Sequence, residues 1–319
     1  MRQQILKVLK KQNGSFLSGH LLAEQLAISR VAVWKHIEAL RDEGYQIEAV
    51  KGVGYRLRPG SDVIIPEEVG RALQGTEWGR EVYYYAELGS TNEEIKATLS
   101  QRTLAEGTVI IAGKQLQGKG RLGRTWVSPA GGLWFSILLK PGLDLAQTAL
   151  LSLVFSLAVC QGVKNMCQVP AFIKWPNDVV LQGRKLSGIL LELSGEIDHT
   201  RQVIVGIGIN VNNRSEDYAG NQAISLAEYT GQSIDLTSCL ISVLKSMNSA
   251  YQQFLQQGFT DLRRQYIQHC CHLNKQVEIM QGGERLGGLN VDIDEMGHLV
   301  LLGNAGTIRL STGDVRVLE

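Results

Sequence analysis

Between Lys114 and Trp126 the sequence runs KQLQGKGRLGRTW, four cations and three glycines with no acidic residue. That mixture suits a loop that holds anions. Gly118, Gly120 and Gly123 let backbone N–H groups approach a ligand closely, and Lys114, Lys119, Arg121 and Arg124 supply neutralising charge. Gly113 to Lys119 also fits G-x-x-x-x-G-K. Position 120, however, is Gly where a P-loop places Ser or Thr, and no helix pattern follows to aim a dipole at phosphate. A solvated basic hairpin would have the same composition, so the meaning of the loop depends on what surrounds it.

Other stretches carry groups that could work with it. Gly89-Ser90-Thr91-Asn92 is a polar turn ahead of Glu93 and Glu94. Ser90 or Thr91 can serve as an N-cap, and equally the hydroxyls and the Asn92 amide can project into a pocket; both readings stay open. Phe172-Ile-Lys-Trp-Pro-Asn-Asp178 reads as a strand running into a turn that ends on a carboxylate. Lys185 follows the turn Gln182-Gly183-Arg184 and precedes the apolar run from Gly188 to Leu193, so it can face a site, although a lone hairpin lysine usually faces water. In Val203 to Asn212, Gly206 and Gly208 lack the third glycine and helix of a dinucleotide fingerprint. They let a ligand or ring lie against the strand. Residues 213–222 form a polar loop able to close over a ligand. His269-Cys270-Cys271-His272 invites a zinc reading, but four consecutive side chains converge poorly on one tetrahedral ion, and packing at a helix end suits them better.

The elements that must position these groups follow from periodicity. Gly107 to Ala112, Val82 to Ala86 and Leu133 to Leu139 read as strands, and Ala149 to Val163 as a buried helix behind them. Val179 to Leu181 with Leu186 to Leu193 makes a hairpin, and Leu240, Leu244, Met247, Tyr251 and Phe254 mark an amphipathic helix. After residue 272 the helical period vanishes. Val277–Met280, Leu286–Ile293, Leu299–Leu302, Ile308–Leu310 and Val315–Leu318 predict a small β-barrel.

The first sixty residues differ in kind. They predict three short helices, the second and third capped by Ser18 and Ser29, with Val33, Ile37 and Leu40 inward and Gly44 ending the third. Tyr45–Val50 and Val53–Leu57 then pair as a hairpin around Lys51-Gly52. That is a winged helix-turn-helix. Its DNA-facing candidates are Ser29, Arg30, Ala32, Val33, Trp34 and Lys35 on the groove helix, with Lys51 and Arg56 on the wing. Arg58 to Asp62 reads as a linker.

Composition is consistent with this division. The chain has 319 residues, 44% hydrophobic, with a net charge of only +1, yet residues 1–60 carry net +5, so a small basic unit is attached to a mildly acidic body. The N-terminus breaks its apolar residues with lysines and lacks a signal-peptide core. The longest nearly apolar run, Ala149 to Cys160, falls short of the roughly 20 residues of a membrane span. Five cysteines form no even framework, and a cytoplasmic location is expected.

In this order, the winged helix-turn-helix, Ser90-Thr91-Asn92, Gly118-Lys-Gly-Arg-Leu-Gly-Arg124, Lys174-Trp-Pro-Asn-Asp178, Lys185-Leu-Ser-Gly-Ile-Leu-Leu-Glu192 and Gly206-Ile-Gly-Ile-Asn210 resemble the bifunctional biotin protein ligase and biotin operon repressor family along the whole chain. The resemblance implies an α+β, multidomain protein. Residues 1–62 would be the winged helix-turn-helix, 63–271 a central mixed α/β ligase domain, and 272–319 a small SH3-like β-barrel. The implied enzyme activates biotin with ATP and Mg²⁺ to biotinyl-5′-adenylate and passes it to a lysine of biotin carboxyl carrier protein. As a homodimer holding the adenylate, it would repress at operator DNA.

Carried over by position, the resemblance places biotin at Ser90, Thr91, Asn92, Gln115, Lys119, Gly120, Arg121 and Lys185. The adenylate would lie at Gly118, Lys119, Arg121, Arg124 and Lys185. The chemistry itself makes Arg121 and Lys185 the catalytic candidates, with Asp178 the nearest carboxylate to orient the acceptor lysine amine. Lys119 stands where the family has Arg, which keeps the charge and loses the planar fork. The chemistry suits the cations, because a carboxylate attacking ATP is an anion meeting a polyanion. A lipoate or octanoate ligase and a non-catalytic effector-sensing transcription factor are the alternatives.

Overall fold

The computed structural model describes residues 1–12, 14–58, 64–194, 202–214, 222–303 and 306–318. The chain opens with α1 (Arg2–Lys11), α2 (Gly19–Gln25) and α3 (Arg30–Asp42), followed by the wing strands β1 (Ile47–Val50) and β2 (Gly54–Leu57). Ser18 and Ser29 cap α2 and α3 by accepting from the amides of Leu21 and Ala32. Ile5, Leu6, Leu9, Leu22, Val33, Ile37 and Leu40 close a separate small core, as the i, i+4, i+7 spacing requires. Leu21 of α2 is 44% exposed while its neighbour Leu22 is buried. The linker expected at residues 58–62 falls largely on residues 59–63, outside the described residues.

The next elements are α4 (Pro66–Ala72), β3 (Val82–Tyr85), α5 (Thr91–Leu99), β4 (Val109–Ala112), β5 (Leu133–Leu139), α6 (Leu145–Cys167), β6 (Phe172–Lys174), β7 (Asp178–Leu181), β8 (Arg184–Ser194) and β9 (Gln202–Ile209). Their strands form one seven-stranded sheet in the order β3-β4-β5-β9-β8-β7-β6, with only β3 and β4 parallel. Alternation sorts each central strand onto two faces. Leu133, Phe135, Ile137 and Leu139 of β5 and Val203, Val205, Ile207 and Ile209 of β9 enter the main core. Leu138 and Ile204 join a small cluster with Ile95 of α5 on the opposite face. That second face carries the site.

Behind the main core lie α6 and, after α7 (Leu226–Thr230), α8 (Leu236–Gln257); α9 (Thr260–His269) follows. The helix expected over 149–163 is longer in the structure. With 23 residues and an 18-residue window of mean hydropathy 1.6, α6 is long and apolar enough to cross a membrane, yet 72% of that window is buried against protein. An Asp144–Gln147 capping box starts it outside the apolar run. The short helices α4, α7 and α9 were not anticipated, because each presents only one or two buried apolar residues.

The C-terminal strands are β10 (Gln276–Gln281), β11 (Glu284–Ile293), β12 (Leu299–Gly303), β13 (Gly306–Leu310) and β14 (Asp314–Val317). The C-terminal strands form one antiparallel sheet in the order β13-β12-β11-β10-β14, with no edge-to-edge pairing among the described residues that would close the expected barrel. Residues 311–313 carry the chain from one edge of the sheet to the other, so β13 and β14 do not form a hairpin. Gly313, at φ +155, lies where a Cβ would meet Ile279 at 2.5 Å.

The N-terminal unit rests on the central one. The Tyr45 and Tyr84 rings stack at 5.4 Å, Tyr45 Oη donates to the Ile64 carbonyl at 3.1 Å, and Lys10 pairs with Asp235 at the start of α8.

Candidate active site

Small residues on the second sheet face make room for the site. A Cβ on Gly206 would stand 2.5 Å from Asn92 Oδ1, and one on Gly208 would stand 2.4 Å from Trp126 Nε1. Ser136, the one hydroxyl in the apolar strand β5, lies against Thr91 Oγ1 and Asn92 Oδ1. The polar turn at 89–92 therefore lies on a patch of backbone between Gly206 and Ser136. Of its two open readings, the structure favours the pocket. Ser90 is the N-cap residue of α5 but makes no capping bond, and its buried side chain lines the cavity.

The hydrogen bonds within the cavity fix its donors and acceptors. The Thr91 amide and Oγ1 donate to Gln115 Oε1 at 2.8 and 3.2 Å, and Gln115 Nε2 donates to Ser128 Oγ at 2.9 Å. Asn92 Nδ2 donates to Glu192, whose other oxygen accepts from Lys96 at 2.8 Å. Lys119 Nζ donates to Glu93 at 2.7 Å; its ammonium and that of Lys96 hold the Glu93 carboxyl below its ordinary range.

Around Arg121 the basic loop makes one 3-10 turn, Arg121–Gly123. Nη1 of Arg121 donates to Asn177 Oδ1 at 2.8 Å and Nη2 to Thr312 Oγ1 at 2.9 Å. Burial lowers the pKa of this guanidinium, against the pull of Asp178 and Asp314. Arg124 pairs with Asp314, which raises the arginine and lowers the carboxyl. Lys185 Nζ is 2.8 Å from Asp178 Oδ2 and 5.0 Å from the centre of the Trp126 ring. Asp178 Oδ1 and Trp126 Nε1 are buried with no partner. The turn that sets Asp178 is itself anchored, because the Trp175 amide donates to His272 Nε2 at 3.0 Å and Trp175 Nε1 to the Gly297 carbonyl at 2.9 Å.

The space so enclosed is a cavity of about 140 Å³ walled by Ser90, Thr91, Asn92, Gln115, Leu190 and Ile207. It shares Arg124, Trp126, Asn177, Asp178 and Lys185 with a wider groove of about 980 Å³. A small polar-ended compartment thus opens past a row of cations into a larger one.

A sequence profile of the biotin/lipoate A/B protein ligase family matches residues 85–210, and a helix-turn-helix profile matches residues 1–56. The bifunctional ligase/repressor BirA of Bacillus subtilis is 33% identical over 99% of this chain and 98% of its own, and that of Escherichia coli K12 is 31% identical over 91% and 89%. A biotin protein ligase from Aquifex aeolicus, solved with biotin and ATP, superposes with a TM-score of 0.65 at 32% identity, over 75% of this chain and 99% of that one. The chain belongs to the bifunctional biotin ligase/repressor family.

In this family member the sequence candidates Ser90, Thr91, Asn92, Gln115, Lys119, Gly120, Arg121, Arg124, Asp178 and Lys185 all line one cavity. Gly118 instead packs against the loop's own return, its Cβ position 2.3 Å from the Trp126 carbonyl. Lys114 pairs with Glu87 at 3.2 Å. Sequence reasoning missed Ser136, Glu192, Asn177, Trp126, Thr312 and Asp314. A lone serine inside LWFSILL was a usable signal; nothing local marked Thr312. The loop at 213–222 lies mostly in residues 215–221, outside the described residues.

On the helix-turn-helix, Arg30, Trp34, Lys35 and Lys51 are exposed, as is Val31 at 63%, which the sequence reading passed over. Val33 is a correction. It is fully buried and holds α3 to the small core, because it belongs to the inward i, i+4 row. Ala32 is half-buried, Ser29 Oγ is committed to capping, and Arg56 turns back onto Glu48 with its guanidinium 4.3 Å from the Phe16 ring centre.

Proposed function

We propose that the protein is an ATP-dependent biotin protein ligase that also represses transcription with its own reaction intermediate as corepressor. The observation that carries the first half is the small cavity with hydroxyl and amide groups at one end and Arg121 and Lys185 at the other. Biotin's ureido end suits Ser90, Thr91 and Gln115, and its carboxylate then lies toward the cations. That carboxylate attacks the α-phosphorus of Mg²⁺-bound ATP, forming the mixed anhydride and releasing pyrophosphate into the wider groove. Arg121 and Lys185 offset the charge as it develops, and Trp126 offers a face to the base.

In the second step the neutral amine of a carrier lysine attacks the acyl carbon and AMP leaves. Asp178, with one oxygen on Lys185 and the other unpartnered, can receive the hydrogen of that amine. The carrier protein is the biotin carboxyl carrier protein of a carboxylase.

We assign residues 1–62 to operator binding, 63–271 to catalysis and 272–319 to an SH3-like unit built on the five-stranded sheet. Repression requires a two-fold dimer, because one winged helix reads a single half-site. The five free thiols accord with a cytoplasmic protein.

The test is biotin-dependent exchange of labelled pyrophosphate into ATP. Exchange with biotin and Mg²⁺ is expected; none from folded protein refutes the ligase, and exchange only with lipoate or octanoate moves the substrate to another acyl acid.

A further inference from the structure

The cations around the site are not held alike. Lys114 is paired with Glu87 at 3.2 Å, Lys119 with Glu93 at 2.7 Å, Lys185 with Asp178 at 2.8 Å, and Arg124 with Asp314. Each of these is part-neutralised by a carboxylate of its own chain. An incoming phosphate must compete with that carboxylate.

Arg121 is different. Among the described residues no carboxylate oxygen forms an ion pair with it, and its two terminal nitrogens rest on neutral acceptors, the Asn177 amide oxygen and the Thr312 hydroxyl. It is also the loop cation most removed from water, so its charge is the least screened. One of the acceptors comes from the turn with cis Trp175–Pro176, the other from residues 311–313, at the end of the C-terminal sheet. Arg121 is thus aimed by two elements far apart in sequence, and Asp178 and Asp314 act on its charge only from a distance, without a direct ion pair.

We propose that Thr312 is a positioning residue for adenylation: it reaches from the C-terminal sheet to hold the Arg121 guanidinium by a neutral acceptor, leaving the full cation for the phosphate of the acyl-adenylate. The C-terminal sheet then completes the site rather than merely packing beside it. The inference rests on the ligase reading above. It predicts that a charged acceptor at 312 is worse than none, since a carboxylate would keep the geometry and take the charge.

Full-length Thr312→Val, Thr312→Ser and Thr312→Asp are compared with the parent in pyrophosphate exchange across ATP concentrations at saturating biotin. The lifetime of retained biotinyl-adenylate is measured in parallel. Val should lower kcat/KM for ATP and shorten the lifetime by about tenfold, the loss of one hydrogen bond to a charged group. Ser should restore both, and Asp should fall below Val. Thermal melting shows whether each variant is folded; a merely structural role would not order Asp below Val in ATP dependence. Val equal to the parent, or Asp retaining adenylate as well as the parent does, overturns the proposal. No exchange by the parent itself would instead overturn the ligase reading.

Discussion

At the residue scale, glycine is what allows rings and amides to lie on the sheet. The Trp126 ring stands on Gly208 and Gly188, whose added Cβ atoms would lie 2.4 and 2.9 Å from it. Gly208→Ala should therefore displace the ring from Lys185 and slow pyrophosphate exchange at least tenfold, with little loss of stability, since alanine suits a strand better than glycine. Tryptophan emission and exchange measured on the same samples check this; a displaced ring with unchanged exchange would remove Trp126 from the nucleotide site. Arg121→Gly should still form some adenylate but release it, labelling nearby lysines nonspecifically. Retention as long as in the parent would show that Arg121 does not clamp the intermediate.

At the element scale, the turn between β6 and β7 is held by a buried histidine rather than by its own sequence. His272 Nε2 accepts from the Trp175 amide, so Nδ1 carries the proton and donates to Asn290 Oδ1 at 3.0 Å. Burial pushes its pKa down to about 4 from 6.5. Because the folded pKa is depressed, the unfolded chain binds the extra proton between these values. The stability that His272 contributes is complete above pH 6.5 and is lost as pH falls from there through about 4. The full effect is roughly 3 kcal/mol. Chemical denaturation of the parent and His272→Gln at pH 7, 5.5 and 4 should show the parent's advantage shrinking with acidity. An advantage independent of pH would mean that the ring takes up its proton as readily in the folded chain as in the unfolded one.

For the whole molecule, the operator-reading unit and the ligase are in contact. The Tyr45–Tyr84 stack and the Lys10–Asp235 pair join the helix-turn-helix to β3 and α8, and β3 leads directly to the turn at Ser90. We expect biotin plus ATP to promote dimerisation and to tighten binding to an operator duplex selected from a random library. Unbiotinylated carrier protein should weaken it by consuming the adenylate. Sedimentation and gel shift measured together decide; affinity and mass indifferent to biotin plus ATP would refute the switch and leave the ligase standing. Removal of residues 1–62 should abolish DNA binding and preserve exchange, with a lower melting temperature because the Tyr45–Tyr84 stack and the Lys10–Asp235 pair are lost.

The sequence by itself determined what local rules can fix. Short, nearly continuous apolar runs identified β5 and β9, the serine caps started α2 and α3, and the cluster of cations with glycines marked a basic loop between two strands. Family resemblance added the order of the motifs. Tertiary structure decided everything that depends on which residues, remote in sequence, come to lie side by side. Val33 stood both in the inward i, i+4 row and among the groove candidates, and its burial decides for the core. The C-terminal strands were legible one by one, yet their order in the sheet, with β13 and β14 at opposite edges, was not. No window of sequence pairs Arg121 with Thr312, 191 residues apart, or Trp175 with His272, 97 apart. Hydrogen bonds of that span depend on packing of the whole chain, and they decide which cation in the loop keeps its charge for a ligand.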